Sequence, residues 1–293
     1  MPNVRSSVDP DSGARHDEIV PQRRWSRAVV HPGAHVDPSA VLEDGVQIGP
    51  GAVVGPEVRL ERGVRVGPNA VLTGRVRIGP DVRIFPGAVI GEEPQDLKYK
   101  GEQSSVVVGA RTCIREHVTV HRSTAEGGTT VVGADVLLMA NSHVAHDCRI
   151  GDRVILCNGA LIAGHVEIEP QALVSGNVVV HQFTRIGRLA MIGGGSRVGR
   201  DVPPYALLIG YSQVRGVNGV GIRRAGFSRE AQLEIREAYR EIFRSGTQPR
   251  DALPRLAETL KTPEARALLE FLAAPSKRGF CGMGKSSAGD DSE

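Results

Sequence analysis

"VQIGPGAVVGPEVRLERGVRVGPNAVL", residues 46–72, returns an aliphatic side chain at every sixth position: Ile48, Val54, Leu60, Val66 and Leu72. The step extends back through Leu42 and Val36 to Val30 and forward through Ile78 and Ile84 to Ile90. A second apolar residue, small or branched, follows each anchor by four positions, as at Ala34, Ala40, Val46, Ala52 and Val58. Gly-Pro often comes directly after the anchor, where a turn needs it. A helix of period 3.6 drifts out of a six-residue phase, and a plain alternating strand has no use for a turn every six residues. Short strands separated by turns satisfy both constraints. Three such strands make one coil of a triangular prism, and successive coils stack with backbone pairing at roughly 4.8 Å. The fold predicted is an all-β parallel β-helix.

The register resumes at Val108, Ile114 and Val120, then runs unbroken from Val132 to Val198. Two stretches without anchors, "GEEPQDLKYKGEQSS" (91–105) and "AEGGTT" (125–130), are predicted to leave the prism as loops. After Val202-Pro203-Pro204 the pattern turns helical. Ser228 suits the N-cap of a helix over 229–244, whose apolar face carries Ala231, Ile235, Ala238, Tyr239, Ile242 and Phe243. Thr262 followed by Pro263 opens another helix, to about Ala273. The chain therefore divides into a prism over 28–205 and a C-terminal helical domain over 206–274. Residues 1–27 and 275–293 are polar and are predicted to be disordered tails.

Composition excludes several classes of function. Thirty-six basic residues against 33 acidic ones, a net charge of +3, with no Lys/Arg block, give no footprint for nucleic acid. No run approaches 18 apolar residues and the N-terminus has no apolar segment, so neither a membrane span nor a secretory signal is expected. The four cysteines (Cys113, Cys148, Cys157, Cys281) form no CxxC pair and read as reduced thiols in a cytosolic protein. No G-x-S-x-G elbow and no phosphate-binding glycine loop is present; "GVGIRRAG" (219–226) is not G-x-G-x-x-G.

Chemistry concentrates in "NSHVAHDC", residues 141–148. An 18-residue step carries His146 onto Gly164 and then Gln182, and carries Asp147 onto His165. His143 and His181 fall nearby, so four histidines gather within two or three coils. Two readings compete. Histidines from neighbouring subunits could hold a zinc ion, as in β-helical carbonic anhydrases. Alternatively a neutral His146 could take a proton from a sugar hydroxyl, with Asp147 holding its tautomer. Neighbours on an extended strand point apart, so the second reading depends on the turn between them. A non-catalytic β-helical scaffold is the third possibility.

The hexapeptide pattern resembles the left-handed β-helix of bacterial hexapeptide acyltransferases, which are mostly trimers with ligands in the clefts between prisms. Within that superfamily, "QDLKYKGE" (95–102), "VTVHRST" (118–124), "NSHVAHDC" (141–148), "IAGHV" (162–166), "VVHQF" (179–183), "DVPPYA" (201–206) and "RRAGFSRE" (223–230) occur in order and resemble the UDP-N-acetylglucosamine O-acyltransferases of lipid A synthesis. The resemblance covers about residues 28–273. It implies a left-handed prism, a homotrimer, acyl carrier protein as donor, a UDP-sugar as acceptor and no cofactor. It matches His146 with the general base, Asp147 with its carboxylate partner, and Gly164 with an N–H donor to the oxyanion. Gln95, Asp96 and Lys98 match residues reaching the substrate from a neighbouring subunit. His121, His143, His165, His181 and Gln182 match contacts to sugar, diphosphate or acyl chain, and Gly194 the position that sets acyl length. Asn218 and Arg224 match the nucleotide end. There the chain departs from the family: Val220 replaces an acidic residue, Ala225 an arginine, and Gly210-Tyr211-Ser212 a Gly-Asn-His. An altered UDP-sugar carrying a 3-amino group, or the later N-acyl transfer of the same pathway, is the alternative these departures leave open.

Overall fold

The structure is a computed structural model that describes residues 27–244 and 249–283. Two-residue strands such as Gln47–Ile48, Val53–Val54 and Arg59–Leu60 recur at the predicted six-residue step. Each pairs in parallel with the strand 18 residues on: Gln47 with Arg65, Val53 with Val71, Arg59 with Arg77. Among the described residues this builds three sheets, of twelve, nine and eight strands, which are the three faces of the prism. We call them the first, second and third face.

Anchors point inward. Leu60, Leu72, Ile78, Ile90, Ile114, Leu138, Ile150, Leu156 and Ile162 are all at or near zero exposure. Burying such a side chain is worth about 1.5–3 kcal/mol, and the stack repeats that gain on every face. Few rings are needed, because the prism is too narrow to hold them. Among the described residues nothing lies beneath the first coil, where Val30 is 41% exposed and Val36 and Leu42 only half-buried.

Both predicted interruptions are present with shifted edges. The strands Val89–Glu92 and Ser105–Val108 shorten the first loop to 93–104, and Thr119–His121 and Thr129–Val132 confine the second to 122–128. The far end also differs from expectation. Strand structure does not stop at 205: Ala206–Leu208 joins the first face, and Gln213–Val217 folds back antiparallel against it. Helices begin only at α1 (Gly219–Arg224), followed by α2 (Arg229–Arg244), α3 (Pro249–Thr259) and α4 (Pro263–Ala273). Ser228 accepts from Ala231 N, and Thr262 caps α4 as the sequence indicates. Tyr205, fully buried, donates to Glu264 O at 3.0 Å, and Tyr239 donates to Pro204 O at 2.5 Å, so the helices close this end.

The expected disordered tail begins too early. Residues 275–283 return onto the prism: Gly282–Met283 pairs with Gln213–Val214, and Cys281 is buried. Arg185, ion-paired with the fully buried Asp201 at 2.8 Å, lies 4.5 Å over the Phe271 ring and 5.8 Å over Phe280. These partners come from strands, helix and tail at once, a long-range arrangement that local polarity does not reveal. Residues 1–26 and 284–293 lie outside the described residues.

Candidate active site

The edge between the second and third faces carries the site. At each turn here one residue adopts a left-handed backbone: Asp147 (φ 61°), His165 (58°) and Phe183 (63°) stack on successive coils. That conformation answers the question left by the sequence. It rotates Asp147 out of the strand direction, so its Oδ2 accepts from His146 Nδ1 at 2.8 Å. With Nδ1–H donating to a carboxylate, the lone pair of His146 resides on Nε2. His146 itself is only 8% exposed.

Gly164 lies directly over this ring. A Cβ there would approach Nε2 to 2.6 Å and strike Cε1, so only glycine leaves His146 its place. Among the described residues the Gly164 N–H donates to no protein acceptor, which leaves it free for an anion beside Nε2.

Asp147 is densely held. Burial alone would push its carboxyl up, but hydrogen bonds from His146, Ser123 and Thr124 outweigh that and hold it well below the usual carboxylate range. His165 Nε2 is 3.7 Å from Asp147 Oδ2; its ring meets His146 edge-on at 5.2 Å and stacks on Phe183 at 4.5 Å. Lys277, from the returning tail, caps the Phe183 ring at 4.5 Å. A cavity of about 400 Å³ opens here, lined by Asp147, Arg149, His165, Phe183, Arg185 and Lys277 among others.

His121, from the coil below, meets His143 edge-on at 4.9 Å. Burial, then the neighbouring imidazoles, pushes His143 down to about 4, and burial lowers His121 as well. His143 Nδ1 shares a hydrogen with Thr119 Oγ1 at 2.7 Å. A histidine that is neutral when folded but has an ordinary value near 6.5 when unfolded binds fewer protons in the native state. Stability therefore falls as pH drops from about 6.5 toward 4; Asp147, a depressed carboxylate, adds its own loss only below its ordinary value. Thermal midpoints of wild type and His143→Gln at pH 7.5, 5.5 and 4.5 should show a shallower decline in the variant. Parallel declines would mean that other groups carry the effect.

The remaining candidates divide. His181 donates from Nδ1 to Gln182 O at 3.1 Å, one coil above Gly164 on the same edge. The loop bearing Gln95, Asp96 and Lys98 leaves from this edge too, and Asp96 is close enough in the same chain for its charge to act on His165. Gly194 lies on the other edge of the second face, between the strands Met191–Ile192 and Arg197–Val198, where a Cβ would meet only Gly176 O at 3.6 Å. Asn218 and Arg224 lie past the last coil. Asn218 is committed to packing, accepting from Gly221 N and donating to Leu189 O, each at 2.9 Å. One chain thus gathers the histidines and Asp147, not Gly194, Asn218 and Arg224. Sequence reading missed Ser123, Thr124 and Lys277; the "HRST" motif contained the first two, without a sign of what they touch.

Among the described residues, one group of three possible ligands is close enough to share a metal ion: His146, Asp147 and His165, with ligand atoms within 4.8 Å of one another. The donor set fits a cation poorly. Asp147 already accepts from one imidazole, two hydroxyls and a backbone N–H, and the near nitrogen of His146 carries a proton. Covalent chemistry by the adjacent thiol is also disfavoured, since burial raises Cys148 to about 12 and its Sγ donates to Ala163 O.

Comparison with known proteins agrees with this geometry. Residues 201–281 match the family profile "Udp N-acetylglucosamine O-acyltransferase; Domain 2", and residues 129–164 match "Bacterial transferase hexapeptide (six repeats)". The acyl-[acyl-carrier-protein]–UDP-N-acetylglucosamine O-acyltransferase of Alkalilimnicola ehrlichii is 53% identical over 254 residues, covering 86% of this chain and 98% of that protein. The Synechocystis protein of the same name is 47% identical over 188 residues, 64% of this chain and 68% of its own. The crystal structure of the Bacteroides fragilis UDP-N-acetylglucosamine acyltransferase superposes with a TM-score of 0.81 at 41% identity, covering 85% of this chain and 98% of that one. The chain belongs to the UDP-N-acetylglucosamine O-acyltransferase family, and its prism is that family's left-handed β-helix.

Proposed function

We propose that this protein transfers a 3-hydroxyacyl group from acyl carrier protein to the 3-hydroxyl of UDP-N-acetylglucosamine, the first step of lipid A synthesis, as a cytoplasmic homotrimer. The observation that carries the chemistry is the oriented pair of His146 and Asp147 beneath a free Gly164 N–H. His146 Nε2 takes the proton of the sugar hydroxyl while its oxygen attacks the thioester carbonyl. Negative charge forming on the carbonyl oxygen meets the Gly164 N–H, and the imidazolium is balanced by Asp147. Collapse breaks the C–S bond, and His146 returns its proton to the leaving thiolate. No enzyme-bound acyl intermediate is required. Acylation of oxygen is favoured over nitrogen because the relatives are named O-acyltransferases. The departures at Ser212, Val220 and Ala225 lie at the nucleotide end, where Val220 is exposed and Ser212 accepts from Gly199 N. Gln95, Asp96, Lys98, His121, His143, His165, His181 and Gln182 line the acceptor and acyl path, and Gly194 leaves room for a longer acyl chain where a bulky residue would stop it. Acyl carrier protein thioesters incubated with UDP-N-acetylglucosamine and with its 3-amino analogue test the reading; turnover of the hydroxyl sugar is expected to dominate. Preference for the amine would transfer the assignment to the alternative, and no turnover of either would leave a scaffold.

The trimer is supported by which way residues point. On the upper coils of the first face the outward rungs Cys113, Leu137, Ile155, Leu173 and Met191 are apolar, above the polar rungs Gln47, Arg65 and Arg83. The second face presents Val53, Val71, Val89, Leu161 and Val179. The third carries Arg59, Arg77, Arg149, Glu167 and Arg185. An apolar stretch on the upper first face, beside the valine and leucine rungs of the second and opposite a third face rich in charge, suits a prism packed against two copies of itself. Such packing also sets one chain's Gly194 edge toward another chain. Among the described residues no helix is long and apolar enough to cross a membrane. Leu161→Glu together with Leu173→Glu should dissociate the assembly and abolish turnover; light scattering showing an unchanged mass would refute this interface.

A further inference from the structure

The edge that bears Asp147 is built differently from the coils above it. In a regular coil the left-handed residue donates its N–H to a carbonyl of the coil below: His165 N to His146 O at 3.0 Å, and Phe183 N to Gly164 O at 3.1 Å. Beneath Asp147 that carbonyl is missing, because the coil below is interrupted by the loop 122–128. Pairing on the second face sets Thr119 under His143, 24 residues apart, whereas pairing on the third face sets Val131 under Arg149, 18 apart. Counted from one side the residue under Asp147 is Ser123; counted from the other it is Thr129. The six additional residues split one position into two and open the coil between them.

Hydroxyl groups fill the opening. The Asp147 N–H donates to Thr130 Oγ1 at 2.8 Å, in place of the absent carbonyl. Ser123 Oγ donates to Asp147 Oδ1 in a short hydrogen bond, while Thr124 donates to Oδ2 from Oγ1 at 2.7 Å and from N at 3.1 Å. Ser123 and Thr130 are fully buried. The loop is tied in place in turn: Ser104 Oγ donates to Ser123 O at 2.5 Å, and Ala125 N donates to Ser123 Oγ at 3.0 Å. Oδ2 receives its protons from Thr124 and from His146 Nδ1 together, so the position of the imidazole is set through the carboxylate by the loop.

We infer that Ser123 and Thr124 are positioning residues for the acyl transfer: through Asp147 they fix the tautomer and direction of His146, and the loop 122–128 exists in the fold to supply them. The inference rests on His146 being the base. A carboxylate without these two hydroxyls keeps only the Thr124 N–H and His146 Nδ1, so its rotation about Cβ–Cγ is less restrained and the aim of Nε2 at the sugar hydroxyl loosens with it. Displacement of a catalytic group by about 1 Å costs on the order of 10²-fold in rate.

The test compares Ser123→Ala, Thr124→Val, the double variant and Thr124→Ser with wild type and His146→Ala. The double variant should lose roughly 10- to 100-fold in kcat with KM nearly unchanged, and Thr124→Val a smaller share. Thr124→Ser, which keeps the hydroxyl, should stay near wild type. Proton NMR gives a second readout independent of turnover. The downfield resonance of the His146 Nδ1 proton, assigned by its absence in His146→Ala, should move or broaden in Ser123→Ala and in the double variant. Wild-type kcat with an unmoved resonance in the double variant would overturn the inference, as would a Thr124→Ser loss equal to that of Thr124→Val. If His146→Ala itself remains active, the general-base reading fails first, and the two failures are told apart. Thermal midpoints guard against misfolding, and the single variants keep the test valid if the double variant does not assemble.

Discussion

His146→Ala is expected to lose roughly 10²–10⁴-fold of acyl-transfer activity, the range typical of removing a general base, while remaining folded and assembled. The fold should tolerate the change because the ring lies at an edge, outside the aliphatic interior of the prism, and among the described residues its side-chain hydrogen bond is to Asp147. The thioester assay and circular dichroism together check this. Activity above a tenth of wild type would remove His146 from the mechanism. The same assay with EDTA should show no loss; a loss restored by Zn²⁺ would favour the metal reading of the His146, Asp147 and His165 group.

Gly164→Ala should be almost as damaging, for a steric reason. The added methyl would come within 2.6 Å of His146 Nε2, against backbone that the coil pairs above and below hold rigid. The imidazole would have to swing away, breaking its alignment with Asp147, and the Gly164 N–H would be shielded from the carbonyl oxygen. Displacing the base and losing one oxyanion donor each carry about 10²-fold or more. We expect a kcat reduced at least a hundredfold, measured with saturating donor and acceptor. A variant with wild-type kcat would show that neither the ring position nor this N–H matters to the chemistry.

The prism was legible because its physics is local and repeated. Ile48, Val54 and Leu60 carry the same instruction as Ile150, Leu156 and Ile162, and a six-residue phase has few other structural meanings. Helix starts at Ser228 and Thr262 were equally readable, since a cap is a contact across three residues. The tail from 275 to 283 was not. Its hold on the prism depends on Phe280, Cys281 and Lys277 meeting Arg185, Asp201 and Phe183, residues some hundred positions earlier in the chain. For the site, the 18-residue step placed Gly164 over His146 and His165 over Asp147 correctly. It failed at the coil below, where an insertion made two residues compete for one position and concealed Ser123 and Thr124.

The two ends of the stack are not equivalent. One is sealed by Tyr205, Tyr239 and the helices; at the other, among the described residues, no further coil covers Val30, Val36 and Leu42. In a solenoid each coil is stabilised chiefly by its neighbours, so opening free energy is lowest at the bare end and rises inward. Thermal fraying is thus directional, entering at the N-terminal coil and spending itself before the histidines. The distance along the stack from Val30 to His146 acts as a sacrificial margin, which shields a site requiring sub-ångström alignment from the motion of an unfinished end.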